Sequence, residues 1–183
     1  MFESEYARDL LLTAGILGLA AFAWSGWAQE RPPSVAARVY LGVLSVAGAV
    51  LAGVGTYNGI KVYGDGSAMV VGEPSWIVYL AMCALEVAAA LAAYAVLRGR
   101  GRTDLFAPVL LVIVGVHFAP LAGVFDLSVL YLLAAAVTVA GLAALRLPAR
   151  RNAPSFWCGA LAAPVFLAVA VPCLVIGLGR MAA

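Results

Sequence analysis

Glu86 and His117 are the side chains in this sequence best placed to do chemistry, because each interrupts a long apolar run. An ionisable group inside a membrane helix costs about 2.5–3.5 kcal/mol on insertion scales, so its presence calls for a reason. Glu86 follows Trp76 by ten residues, about 15 Å along a helix. His117 follows Phe106 by eleven, about 16 Å from the opposite end of the next run. Both positions fall near mid-depth, and the two runs are consecutive, so the pair can meet. An imidazole changes charge in the neutral range, and beside a carboxylate it can relay protons or bind a cation. The plainer alternative is that the two groups satisfy each other, or the backbone, in a packed bundle.

The helical faces around them are informative. Tyr79, Met82, Cys83, Ala89, Ala90 and Ala93 share a side with Glu86 at helical spacing, and a face so rich in alanine predicts packing against protein. Pro120 lies three residues after His117, and its missing N–H leaves the Val116 carbonyl without its helical donor. A kink there, or at Pro164 and Pro172 in the last run, could open a cavity. A second polar group, Thr56, Tyr57, Asn58 and Lys61 with Asp126 and Tyr131, suggests the outer mouth of a path. Interface and capping roles explain the same residues.

The elements that must hold these residues are membrane spans. Of the 183 residues 65% are hydrophobic and 11% charged, whereas a soluble domain carries about 25% charged residues. Six apolar runs can be drawn, at about 9–29, 36–58, 75–97, 105–124, 127–146 and 155–179. They lack the two-residue alternation of barrel strands, so they are read as helices. The expected fold is all-α, a compact bundle of six transmembrane helices in a single domain over residues 1–183. Glycines 42, 48, 53, 55 and 59 in the second run, with alanines 88–90 and 92–93 in the third, predict close helix packing.

Arg31, Arg38, Arg98, Arg100, Arg102, Arg146, Arg150 and Arg151 belong to loops one, three and five. Only Arg8, Lys61 and Arg180 belong to the other side. Eight against three predicts cytoplasmic odd loops and both termini outside. The acidic start, through Glu3, Glu5 and Asp9, lacks the basic region of a signal peptide, so the first run is kept as a helix. Trp24, Trp27 and Trp157 read as an inner aromatic belt, Trp76 and Tyr79 as an outer one. Asp126 is placed to cap the fifth helix and Thr103 or Asp104 the fourth, with Pro108 in its first turn. Loop two, from Gly59 to Ser75, has two β-prone runs around Gly64-Asp65-Gly66, which suggests a short external hairpin lying over the helix ends.

Other chemistry finds little support. Cys83, Cys158 and Cys173 lie inside apolar runs without CxxC spacing and read as small buried hydrophobes. With one histidine there is no bis-histidine haem or zinc set. No phosphate-binding, dinucleotide or hydrolase motif is present. The sequence therefore names no cofactor, no metal and no catalytic residue, and its loop arginines do not call for nucleic acid. The arginines of loops three and five could hold anionic lipid head groups.

The stretches Trp24-Ser25-Gly26-Trp27-Ala28-Gln29-Glu30-Arg31-Pro32-Pro33 and Gly115-Val116-His117-Phe118-Ala119-Pro120-Leu121-Ala122 resemble those of small uncharacterised bacterial six-helix integral membrane proteins. That resemblance implies a bacterial inner-membrane protein with His117 in its signature, and it brings no activity with it. The leading expectation is a bundle that binds or passes a small solute or ion at Glu86 and His117. A non-transporting sensor or accessory subunit, bound to another membrane protein or to a second copy, is the alternative. A lipid-acting enzyme with His117 as base ranks last, since no nucleophile set accompanies it.

Overall fold

The computed structural model describes residues 4–147 and 152–182. Arg150 and Arg151, counted above in the charge balance, lie outside the described residues, as does Pro148. Six α-helices run in chain order: α1 Ala7–Trp27, α2 Val35–Lys61, α3 Pro74–Gly99, α4 Phe106–Val124, α5 Val129–Ala144 and α6 Pro154–Met181. One-turn 3-10 segments, Ala28–Glu30 and Thr103–Leu105, follow α1 and precede α4. Five helices are long and apolar enough to cross a membrane, and α5 is a shorter apolar helix of 16 residues.

Local chemistry sets the helix ends. Ser34 caps α2 by accepting the Ala37 N–H at 3.1 Å. Proline opens both α3 and α6, where a missing N–H costs nothing. Lys61, Arg98 and Arg180 fall in last turns, beside the negative ends of the helix dipoles. Pro108 sits in the first turn of α4, but neither Thr103 nor Asp104 caps that helix. Both lie in the 3-10 turn ahead of it, and no side chain caps its start.

Asp126 closes α4 and does not cap α5. Its φ of 47° puts it in the left-handed region, and the Leu127 N–H then donates back to Ala122 O at 2.9 Å. The residue at the start of α5 is Ser128, which makes no side-chain cap. An aspartate thus fills a position that glycine usually takes.

No β-strand occurs among the described residues, so the loop-two hairpin is not formed. Helix α2 runs on through Ile60 and Lys61, which removes the first of the two β-prone runs. The rest is a chain of turns gathered on the start of α1. Asp9, buried in the first turn of α1, accepts Ser67 Oγ at 2.7 Å and the Ala68 N–H at 2.8 Å. Arg8 donates to Tyr63 O at 3.2 Å and lies over the Tyr63 ring. A carboxylate that accepts two bonds in a buried place outcompetes a short, unsupported ladder.

The bundle is built around α1, which packs on α2 and α6. The α1–α2 contact is backbone to backbone. A Cβ on Gly48 would fall 2.6 Å from Phe22 N, and one on Gly55 would fall 2.6 Å from Gly15 N. The GxxxG spacing of Gly55 and Gly59 therefore serves contact within the chain. Helices α4 and α5 pair and join α6, enclosing Leu10, Leu17, Leu111, Leu133, Val137 and Phe166 in one core. Pro120, Pro164 and Pro172 lie within α4 and α6, which continue through them.

Helix α3 stands apart. Among the helices it packs on α4 alone, and none of its residues is fully buried. Its half-buried residues include Tyr79, Met82, Cys83, Glu86, Ala89, Ala90 and Ala93, the alanine-rich face read from the sequence.

Candidate functional site

Glu86 is the thirteenth of the 26 residues of α3, and His117 the twelfth of the 19 of α4. Antiparallel packing of two consecutive helices brings them together at mid-length. His117 Nδ1 lies 3.3 Å from Glu86 Oε2, with the imidazole 11% exposed and the carboxylate 27% exposed. That separation is just beyond the usual N–H···O range, so the contact is a long one.

The pair borders a groove of about 370 Å³ on the α3–α4 seam. Met82, Leu85 and Ala89 from α3 face Val112, Ile113, Val116 and Pro120 from α4, so Glu86 and His117 are its polar members. Pro120 leaves Val116 without a helical donor at the edge of this groove. Behind His117, Phe118 turns inward and meets Phe166 of α6 at 6.1 Å between ring centroids. The groove is therefore lateral, set between one peripheral helix and the bundle. The middle of the bundle is filled by packed side chains.

A smaller cavity, about 130 Å³, lies toward the end that carries loop two, lined mainly by α1. Tyr79 and Phe118 line it together with Arg8, Asp9, Thr13 and Met69. Aromatic pairs close the seam on both sides of Glu86 and His117. Tyr79 meets Phe125 edge-on at 6.1 Å, and Tyr94 meets Phe106 edge-on at 5.3 Å.

The proposed mouth residues are only partly gathered. Lys61 Nζ sits 4.4 Å above the Tyr57 ring, and Asn58 Nδ2 donates to Val54 O at 2.8 Å. Helix α2 makes no contact with α4 or α5, the two helices that the Asp126 turn joins. The polar cluster at this end is instead Arg8, Asp9, Ser67 and the Ala68 N–H. Nothing in the spacing of Asp9 and Ser67, 58 positions apart, announces it. The aromatic belts are paired in the structure, with Trp24 stacked on Trp27 at 5.5 Å and Trp76 on Tyr79 at 5.9 Å.

No family model matches this sequence, and neither a curated protein nor a solved structure matches it. The chain is a polytopic helical membrane protein on its own evidence. Its site is defined by geometry alone. Among the described residues no three histidine, cysteine, aspartate or glutamate side chains gather as metal ligands. What Glu86 and His117 can do together is share or exchange a proton, or release each other when a cation or hydrogen-bonding solute takes one side.

Proposed function

We propose that this chain binds and passes a small solute or ion along the α3–α4 seam, with Glu86 and His117 as its pH-responsive midpoint. The observation that carries the reading is a carboxylate and an imidazole 3.3 Å apart at mid-helix, facing an otherwise apolar groove. An ionisable side chain at such depth is costly to insert and so calls for a reason. Because α3 rests on α4 alone, opening the seam disturbs one interface and leaves the core packed. The proposal places the protein in a bacterial inner membrane, as the resemblance of its Trp24–Pro33 and Gly115–Ala122 stretches implies, and the arginine balance puts the odd loops in the cytoplasm and both termini outside.

The test is flux in proteoliposomes, read with a trapped fluorescent pH probe for protons and by swelling for neutral solutes. Wild-type flux should change across the range of about pH 5 to 8 in which an imidazole changes charge. Glu86→Gln and His117→Ala should abolish the flux or its pH response while the protein still inserts and purifies. Wild-type flux with an unchanged pH response in both variants would falsify the proposal.

A second reading, an accessory subunit or sensor, draws on the exposed outer face of α3, where Leu80, Val87 and Leu91 point away from the bundle. It predicts copurification with a membrane partner at fixed stoichiometry and no flux from the isolated chain.

A further inference from the structure

The seam groove is built by two helices only. All nine residues that line it belong to α3 and α4, and two of them, Leu85 and Val116, are exposed. In a chain that spans a membrane, a groove made this way opens sideways to the lipid tails. A solute reaches it by first dissolving among them. At about 370 Å³ the groove falls in the range of about 300–1,000 Å³ typical of small-molecule sites.

Seven of the nine lining residues are apolar, which limits what can lie there. A divalent cation needs about six or more oxygen ligands, and no three ligating side chains gather among the described residues. A hydrated ion or a sugar would set polar groups against Met82, Val112 and Ile113, at a cost for each one left unpaired. The occupant that matches has a single polar group on an apolar body. That group meets Glu86, the more exposed of the pair at 27% against 11% for His117. The long 3.3 Å contact with His117 uses one carboxylate oxygen and leaves acceptor capacity for another donor. Val116, on the α4 wall, adds a carbonyl that Pro120 leaves without its helical donor. Both are acceptors, so the solute must donate.

Resting on the reading of the seam as the binding site, we infer that its solute is a lipophilic amine, held as the ammonium. The N–H groups donate to the Glu86 carboxylate and to the Val116 carbonyl. Glu86 offsets the charge at a depth where an unpaired cation is costly. The hydrocarbon body lies along Met82, Ala89 and Val112. An alcohol of the same shape donates one hydrogen bond and brings no charge, so it binds less tightly.

Equilibrium binding of tritiated 1-adamantylamine and tritiated 1-adamantanol to the full chain in detergent, followed by scintillation proximity, tests this. The two probes share one apolar cage and differ in the charged donor. The amine should bind about tenfold more tightly, the worth of a hydrogen bond to a charged group. Glu86→Gln should lower the amine to the affinity of the alcohol, whose own binding shows that the groove is still formed. Ala89→Phe, which fills the groove, should weaken both probes alike. Equal binding of the two by the wild type, a preference that survives Glu86→Gln, affinities untouched by Ala89→Phe, or tighter binding of adamantane-1-carboxylate overturns the assignment. Flux in liposomes separates this failure from that of the wider reading. A pH-responsive flux without amine preference keeps the seam as a path and removes the amine, whereas amine preference without flux keeps the amine and removes the passage.

Discussion

At the scale of the residue, the Glu86–His117 contact is a pair in which each group is the other's remedy for a low-dielectric setting. Removing one partner leaves the other without compensation, whereas removing both leaves a quiet apolar seam. Glu86→Leu and His117→Leu should therefore each destabilise the protein more than the combined variant predicts by addition. A double-mutant cycle in reversible micellar unfolding should return a coupling of about 0.5–3 kcal/mol. Strict additivity would mean that the 3.3 Å approach carries no energy. Asp9 works differently, since its carboxylate organises a loop. Asp9→Ala removes the acceptor for Ser67 Oγ and the Ala68 N–H. It should raise amide hydrogen exchange across 62–73 and leave exchange in α5 unchanged, and protection that persists in that loop would contradict the role assigned to it.

At the scale of the element, the helices of this chain answer to two different rules. Helices α1 and α2 meet through glycine, so bulk there has nowhere to go. Gly48→Leu should cost at least the 1–3 kcal/mol or so typical of overpacking, because its Cβ alone would sit 2.6 Å from Phe22 N. Gly53→Leu, on an open face of the same helix, should be tolerated. Comparing the two by thermal unfolding separates packing from helix propensity, and equal losses would refute the distinction. This division also explains what could be read in advance. The spans were legible because lipid demands long apolar runs, and the Glu86 face was legible because alanine marks helix contact. Loop two was misleading, because local β-propensity in 60–71 is overridden by a buried aspartate far away in the sequence. Asp126 misled for a related reason: capping preference is local, but its left-handed backbone is set by the reversal from α4 to α5.

At the scale of the whole molecule, five helices form a body and α3 is attached to it through one neighbour. Aromatic pairs hold the attachment above and below the polar pair, at Tyr79–Phe125 and Tyr94–Phe106. Such an arrangement lets one helix rock on another while the core stays intact, the small sliding motion that packed helices permit. The seam is then the moving part, and fixing it should stop any traffic that needs it. Ala89 and Val112 line opposite sides of the groove, one on each helix. With Cys83, Cys158 and Cys173 replaced by alanine, Ala89→Cys and Val112→Cys together can be bridged by a short bifunctional maleimide. Bridging should abolish flux in liposomes, while each single cysteine treated with the same reagent should retain it. A reducible linker should restore flux when cleaved, which distinguishes a locked seam from a damaged protein. Flux that continues through the bridged form would place the path elsewhere and leave α3 as a surface for a partner.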